Sequence, residues 1–296
     1  MNREMLKKAE NIITEKRLNN ERIYNDLLEE FSKDKTFARL RATYQNELIE
    51  NAKKDAYGKK VDRTREKALK KELDEYFKKN GQINEVNYSC KKCKDQGYID
   101  GNMCNCLKKE ISNILLEESN FGKLVSFKDA EKGVGGNLKL LYQKMQEWCH
   151  SDFKKNTIII SGQVGTGKTY LTKAIANELI TFGKIVKLVS AFQMNIDFNE
   201  YVKTKDKNYI DDYLNCEFLF IDDLGTEVYY KNSTDQNIYN ILNDRQIKKL
   251  CTIITTNLDL AEIKEKYGER TFSRITNKDV SILVNLKGED LRINKK

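Results

Sequence analysis

The stretch IIISGQVGTGKTYLTKAIANELI, residues Ile158–Ile180, carries the strongest indication of the fold class. Its apolar run ends in a glycine-rich turn, and a helical pattern follows directly. The phosphate-loop (P-loop) pattern G-x-x-x-x-G-K-[ST] is met by Gly162, Gly167, Lys168 and Thr169. A strand before and a helix after are the context that this motif requires. The stretch therefore predicts the first strand and helix of an α/β nucleotide-binding domain.

Each part of this loop is suited to binding the phosphates of a nucleotide. Glycines let backbone N–H groups point inward, and the start of the helix adds its positive end. Lys168 is predicted to reach the β and γ oxygens, and Thr169 to offer its hydroxyl to Mg²⁺. The predicted cofactors are ATP and Mg²⁺. The residues predicted to bind them in the loop are Gly162, Gly165, Thr166, Gly167, Lys168 and Thr169.

Strand and helix patterns alternate after Thr157, which predicts parallel strands joined by right-handed crossovers. The predicted strands are Thr157–Ser161, Lys184–Val189, Glu217–Asp222, Thr252–Thr256 and Val280–Leu286. The predicted helices are Lys168–Phe182, Phe192–Val202, Asp235–Lys249, Leu260–Tyr267 and Glu269–Thr276. The fold class is thus α/β, a P-loop parallel sheet with helices on both faces.

Polar side chains end two other predicted strands. Asp222 and Asp223 follow the apolar run Phe218–Ile221, and Asn257 follows CTIITT. Ligands of open α/β sheets bind at the carboxyl ends of strands. We predict that Asp222 contributes to the Mg²⁺ shell, that Asp223 polarises the attacking water, and that Asn257 contacts that water or the γ-phosphate.

Net charge and the distribution of apolar residues indicate the environment in which the chain functions. A net charge of +8 over 296 residues suits a protein that meets polyanions, although such an excess is also common without that partner. No apolar run of about 18 residues is present, and residues 1–10 are charged, so neither a membrane span nor a signal peptide is predicted. A cytoplasmic protein is expected.

Four of the seven cysteines lie close together, at Cys90, Cys93, Cys104 and Cys106. Four thiolates at this spacing suit tetrahedral Zn²⁺, and nearby glycines permit the turns that let the two pairs converge. An iron–sulfur cluster and unligated thiols are the alternatives. A saturated site has no open position for catalysis, so a structural metal is predicted.

The sequence before the P-loop divides into regions that differ in their pattern of apolar residues. Residues 1–80 carry apolar residues at helical intervals, but too few of them to bury a core unaided. The helices then either present solvated surfaces or dock on a partner. Helices are also predicted at Leu107–Ser119 and Leu138–Cys149, separated by a loop with glycines at positions 133, 135 and 136. The predicted domains are a helical partner-binding region (1–88), a four-cysteine zinc module with its following helix (88–119) and an ATPase domain (120–296).

The P-loop, the Asp-Asp strand, the strand ending Thr-Thr-Asn and the later GERTFSRI together resemble the AAA+ ATPase core of bacterial helicase loaders, the DnaC/DnaI family, and of IstB-type transposition helpers. The resemblance covers about Thr157 to Arg292. It implies that Asn257 is the sensor 1 residue and that Arg274 is an arginine finger for a neighbouring subunit, with Arg270 as helper. It also implies that Arg292 is a sensor 2 arginine and that the ATPase domain is lidless.

The resemblance implies an ATP-dependent loader of the hexameric replicative helicase onto single-stranded DNA. The protein would oligomerise through its ATPase domain and bind DNA through Lys, Arg and aromatic side chains, with Phe192 and Tyr201 as candidates. An IstB-type transposition helper shares these motifs. A nucleotide-gated nucleic-acid adaptor with little hydrolysis is a further alternative, because Asp223 stands where such motors usually carry glutamate.

Overall fold

A computed structural model of the protein describes residues 3–119, 121–131, 136–230 and 233–286. Contacts between Cα atoms divide the chain into two units, one made of residues 1–11 with 97–296 and the other of residues 12–96. Within the described ranges, every helix is too short or too polar to cross a lipid bilayer.

Three helices begin the chain: α1 (Arg3–Phe31), α2 (Lys35–Ala56) and α3 (Thr64–Lys79). They bury a small core made of Leu28, Phe37, Leu73 and Phe77. Phe31 packs edge-on against the ring of Phe77, with centroids 5.1 Å apart. The expectation that these helices bury no core of their own is therefore wrong, because a few large aromatic rings fill the volume that many aliphatic side chains would otherwise need.

Short elements connect these helices to the sheet. A two-stranded antiparallel ribbon, β1 (Tyr98–Ile99) and β2 (Asn102–Met103), lies within the cysteine-rich segment. The helices α4 (Asn105–Glu118), α5 (Phe127–Ala130) and α6 (Gly136–Cys149) follow. Their order agrees with the predicted helices in this region, and α5 is a single turn that the sequence pattern did not reveal.

The remaining elements alternate between strands and helices. They are β3 (Thr157–Gly162), α7 (Lys168–Thr181), β4 (Val186–Ser190), α8 (Ala191–Thr204), α9 (Asn208–Asn215), β5 (Phe218–Leu224), α10 (Thr234–Ile247), β6 (Cys251–Thr256), α11 (Leu260–Thr276) and β7 (Ser281–Leu286). The five strands form one sheet in the order β4-β5-β6-β3-β7, and every neighbouring pair is parallel. The predicted α/β class with a parallel sheet is confirmed.

Helices cover both faces of this sheet because its strands are apolar on both sides. Along β3, Ile158 and Ile160 belong to one apolar cluster with α5, α6 and α7. Ile159, which points to the opposite face, belongs to a second cluster with α8, α9, α10 and α11. Helix α9 was not predicted, because a single buried pair, Ile210 and Tyr213, is too short a pattern to establish a helical period.

Helix α4 is anchored to the edge strand of the sheet through one serine. Ser112 Oγ accepts a hydrogen bond from the Val186 backbone N–H at 3.1 Å and donates to the Lys184 carbonyl at 3.0 Å. Lys108, one turn earlier, pairs with Glu217 at 3.0 Å. These contacts place α4 in the same unit as the sheet.

Candidate nucleotide and metal sites

The P-loop, residues 162–169, connects the carboxyl end of β3 to the start of α7. A Cβ atom at Gly162 would lie 2.4 Å from the carbonyl oxygen of Leu286, so only glycine fits between β3 and β7 at this point. Gly167 has a φ of 89° and precedes the first residue of α7. Between them, Gly165 is buried, and Thr166 Oγ1 donates to the Gln163 carbonyl at 2.8 Å.

Lys168 lies inside this loop and is only 6% exposed. Its ammonium group contacts the Gly162 carbonyl at 2.7 Å, the Gln163 carbonyl at 2.8 Å and Asn257 Oδ1 at 2.6 Å. The structure thus brings Lys168 next to Asn257, which follows β6. Two residues that the sequence places far apart share one hydrogen bond at the carboxyl edge of the sheet.

Thr169 and Asp222 meet at the same edge. The Thr169 hydroxyl lies 3.3 and 3.5 Å from the two carboxylate oxygens of Asp222, and the Thr255 hydroxyl donates to Asp222 at 2.5 Å. Burial raises the pKa of Asp222, and the neighbouring charge of Asp223 acts in the same direction. Hydrogen bonds from Thr255 and Thr169 oppose that shift because they favour the ionised form.

Asp223 departs from regular strand geometry. Its φ is 54°, and the β5–β6 register shifts between Ile221 and Leu224. The Asp223 backbone N–H donates to Thr255 Oγ1 at 2.8 Å, and its carbonyl accepts from the Thr226 N–H at 3.1 Å. Bulges of this kind re-aim a side chain beside active sites. The direction of Asp223 is therefore set by the turn that follows it and not by strand alternation.

These residues fit a nucleoside triphosphate and a magnesium ion. No described side chain caps the first turn of α7, so its N–H groups can face phosphate oxygens. The cradle at Gly162 is one that any Cβ atom would obstruct. The Thr169 hydroxyl and the Asp222 carboxylate supply the hard oxygen ligands that Mg²⁺ prefers.

The predicted arginines lie on a different element. Arg270 and Arg274 follow Gly268, whose φ of 78° interrupts α11 between the two helices that the sequence predicts there. Arg270 is exposed, and Arg274 is half-buried with its carbonyl accepting from Gln246 Nε2 at 2.8 Å. Neither makes any of the contacts described for the P-loop. Arg292 lies outside the described residues.

The four clustered cysteines converge, and their Sγ atoms all lie within 4.8 Å of one another. Cys93 and Cys104 are buried, whereas Cys90 and Cys106 are half-buried. This donor set fits a tetrahedral metal ion that prefers thiolates, and the residues that would hold it are those predicted from the sequence.

Asp95 supports this segment and was not predicted. It is buried, and its carboxylate accepts the backbone N–H of Cys90 at 2.6 Å and that of Ser89 at 2.8 Å. An aspartate just before the glutamine and glycine at 96–97 is a turn signal that could have revealed it. Hydrogen bonds of this kind orient the residues beside a ligand sulfur.

The two candidate DNA-contacting aromatic residues differ in exposure. Phe192 is 48% exposed, but Tyr201 packs against the apolar cluster beneath α8. Tyr230, on the loop after β5, is a further exposed ring at 54%, and no sequence pattern marks it as a DNA contact. Asn195 holds that loop beside α8 by donating to the Val228 carbonyl at 2.8 Å.

Comparison with known proteins decides the family. The profile of the family described as IstB-like ATP binding protein matches residues 140–296, more than half of the chain. The chain belongs to this family. The predicted resemblance is thereby confirmed, and the matched segment contains β3 to β7 and the whole P-loop.

This IstB-like chain is also similar to curated helicase loaders. It is 33% identical over 137 residues to the replicative helicase loader DnaC of Buchnera aphidicola subsp. Baizongia pistaciae (strain Bp), which is 44% of this chain and 54% of that protein. It is 27% identical over 154 residues to the replicative helicase loader DnaC of Escherichia coli K12, or 51% of this chain and 62% of that protein. The chain thus spans little more than half the length of these relatives.

Among solved structures, the IstB-like chain is similar to a crystal structure of the DnaC helicase loader. The TM-score is 0.47 at 20% identity, over 57% of this chain and 97% of that one.

Proposed function

We propose that the chain is an ATP-dependent loader that places a hexameric replicative helicase on single-stranded DNA in the cytoplasm. The observation that carries the proposal is the meeting of Lys168, Asn257, Thr169 and Asp222 at one edge of the sheet, in a chain similar to DnaC loaders. The similarity supports a role in replication, and the site supports an ATPase.

The reaction is hydrolysis of ATP to ADP and phosphate by in-line attack of water. Lys168 exchanges its loop carbonyls for the β and γ oxygens of bound ATP. Asp223 orients the attacking water and accepts its proton, and Asn257 positions the water against the γ-phosphate. Thr169 and Asp222 would hold Mg²⁺, which neutralises phosphate charge when it is bound.

Hydrolysis requires a second subunit in this proposal. Arg274, with Arg270 as its helper, approaches the γ-phosphate held by a neighbouring chain, and Arg292 serves as the sensor 2 arginine. The permanent charge and forked donors of arginine suit this task. The position of Arg270 and Arg274 on a segment separate from their own P-loop supports a role in self-assembly.

Single-stranded DNA binds through phosphate contacts from lysines and arginines and through stacking of bases on exposed rings. The net charge of +8 and the exposed rings of Phe192 and Tyr230 support this part of the proposal. Tyr201 is not proposed as a DNA contact because its ring packs against the apolar cluster beneath α8.

The amino-terminal regions recognise the helicase. We assign partner binding to the helices of residues 1–88 and a structural Zn²⁺ to the four-cysteine module of residues 88–119. The converging sulfur atoms of Cys90, Cys93, Cys104 and Cys106 support the metal. Residues 120–296 form the ATPase domain.

The test is a loading assay with the full chain, the replicative helicase of its source and a circular single strand carrying an annealed oligonucleotide. ATP and the wild-type chain are expected to give helicase-dependent displacement of the oligonucleotide. Lys168→Ala should abolish displacement because it removes the charge that faces the phosphates. Control Lys205→Ala changes an exposed lysine outside the P-loop and should retain activity. Displacement that is the same without the chain would reject the loader.

A transposition helper is the second candidate, favoured by the match to the IstB-like family over residues 140–296. Its test is whether the chain stimulates strand transfer by a transposase encoded beside it. Stimulation by ATP together with a negative loading assay would move the assignment to this function.

A further inference from the structure

Glu227, on the loop after β5, is a buried carboxylate that the reaction above does not use. Its side chain is 0% exposed. One oxygen accepts the Gly225 backbone N–H at 2.8 Å, and the other accepts the Tyr267 hydroxyl at 2.5 Å. A carboxylate so removed from water is costly unless a charged partner and hydrogen bonds compensate it.

Lys266 completes the arrangement. Its ammonium nitrogen lies 3.1 Å from Glu227 Oε1 and 2.6 Å from the Gly225 carbonyl oxygen, to which it donates. It also lies over the rings of Tyr229 and Tyr267, at 5.8 and 5.6 Å from their centroids. Glu227 and Lys266 thus hold both polar groups of the Gly225 backbone.

On one side, this arrangement fixes the turn that carries Asp223. Gly225 follows Asp223 in a turn closed by the hydrogen bond from the Thr226 N–H to the Asp223 carbonyl. Gly225 has a φ of 112°, and a Cβ atom there would lie 2.9 Å from the Leu258 side chain. Glu227 thus holds the backbone two residues beyond Asp223, inside the turn that follows the left-handed conformation of Asp223.

On the other side, the same carboxylate fixes the point where α11 changes direction. Lys266 and Tyr267 are the last residues before Gly268, where the helical backbone is interrupted. Arg270 and Arg274 lie on the segment beyond. Glu227 therefore holds the base from which the arginine-bearing segment extends.

We propose that Glu227 is a positioning residue that couples the Asp223 turn of its own ATP site to the arginine segment that this subunit presents to its neighbour. The inference rests on the proposed hydrolysis of ATP between subunits. Glu227 acts through Asp223 and Arg274. Loss of its charge therefore disturbs both the ATP site of its own subunit and the neighbouring ATP site that receives Arg274.

The first test is Glu227→Gln, which keeps the shape of the side chain and removes its charge. The Kd and KM for ATP should stay unchanged because the P-loop is untouched. The kcat should fall at least about 10-fold, since displacement of a reacting group by about 1 Å can cost on the order of 100-fold. Control Glu265→Gln removes the same charge from an exposed position on α11 and should change neither. An unchanged kcat for Glu227→Gln overturns the proposal.

Mixed assemblies separate the two halves of the coupling. Asp223→Asn subunits mixed with Arg274→Ala subunits should regain activity, because some interfaces then combine an intact Asp223 with an intact Arg274. Glu227→Gln subunits should rescue neither of these variants. Rescue of Arg274→Ala by Glu227→Gln would show that the arginine segment is unaffected, and rescue of Asp223→Asn would show that the Asp223 turn is unaffected. Either result overturns the coupling.

Hydrogen exchange supplies a readout that does not require hydrolysis. In Glu227→Gln, amides of residues 223–227 and of 266–274 should both exchange faster, while those of α7 stay unchanged. Tyr267→Phe, which removes a single hydrogen bond, should give a weaker form of the same pattern and replaces the Gln variant if that variant does not fold. Unchanged exchange in either segment overturns the coupling. If the mixture of Asp223→Asn and Arg274→Ala subunits is inactive, that result counts against the proposed function and not against the coupling.

Discussion

Asp223 lies in β5, but its backbone departs from strand geometry. With a φ of 54° it occupies the left-handed region, which aspartate and asparagine both tolerate. Lys168 lies at the same edge of the sheet, where contacts to its side chain hold it in place. Its ammonium group is held by carbonyls and by Asn257, so bound phosphate must replace those partners.

Asp223→Asn should therefore fold normally, bind ATP and fail to hydrolyse it. Loss of a general base costs on the order of 10²- to 10⁴-fold in rate. Steady-state phosphate release would measure the fall, and filter binding would show that ATP is retained. Asp206→Asn, at an exposed site, is the control. Turnover equal to wild type would show that Asp223 does not polarise the water, whereas negligible turnover by the wild-type chain itself would favour an adaptor that uses ATP as a switch.

At the scale of elements, Arg245 joins the amino-terminal ends of β5 and β6 to the end of α9. It is 0% exposed, and its guanidinium donates to the carbonyls of Tyr213, Cys216 and Cys251 and to the hydroxyl of Thr252. Five rigid donors let one side chain satisfy carbonyls that would otherwise be buried without partners.

Arg245→Met should destabilise the protein by about 3 kcal/mol or more, because several buried carbonyls lose their donor at about 1–3 kcal/mol each. Urea unfolding followed by circular dichroism would measure the change. Lys248→Met, on the exposed side of the same region of the chain, should alter stability little. A loss of stability no larger than that of the control would contradict this account of Arg245.

Gly268 governs a second element, the segment of α11 that carries the arginines. No atom lies within 4 Å of a Cβ at this position, so Gly268→Ala strains only the backbone. With φ 78° and ψ 171° that backbone lies in a region essentially reserved for glycine, and the strain is about 1–3 kcal/mol. The variant should lower both stability and the ATPase rate of the assembly while ATP affinity stays the same.

Gly58→Ala provides the matched control for this prediction. Gly58 has a φ of 66° and equally open surroundings, but it lies outside the ATPase domain. The control should lose stability through strain at a positive φ and keep its ATPase rate. Equal rates for the two variants would show that the break at Gly268 has no role in directing Arg270 and Arg274.

At the scale of the whole molecule, two different kinds of interior stabilise the chain. The sheet has apolar clusters on both faces, whereas the cysteine-rich segment relies on four converging sulfur atoms. Short polar segments of this kind are stabilised by metal because they lack apolar side chains to bury.

Metal content should therefore depend on the cluster and not on cysteine in general. The purified chain is expected to carry a single zinc ion, and Cys93→Ser should lose it together with thermal stability. Cys149→Ala, which changes a buried cysteine of the apolar cluster beside α6, should keep the metal. Elemental analysis and thermal unfolding would measure both effects. Iron in place of zinc would identify the alternative cluster, and metal retained by Cys93→Ser would reject the site.

Much of the sheet was predictable because its signals are local. β3 ends at Gly162 and β6 at Thr256, each just after an apolar run, and the predicted bounds of both strands agree with the structure to within one residue. Helix α9 and the aromatic core of α1–α3 were missed. The first is too short to show a period, and the second arises from rings that are distant in sequence.

The parallel α/β class, the P-loop, the acids of β5 and the four clustered cysteines follow from the amino-acid sequence, because each depends on the spacing of neighbouring residues. The folded chain was needed to show that Asn257 reaches Lys168, that a bulge redirects Asp223, and that Glu227 joins the turn after β5 to α11. Hydrogen bonds between residues distant in the chain follow from how strands and helices pack, and no local pattern encodes them.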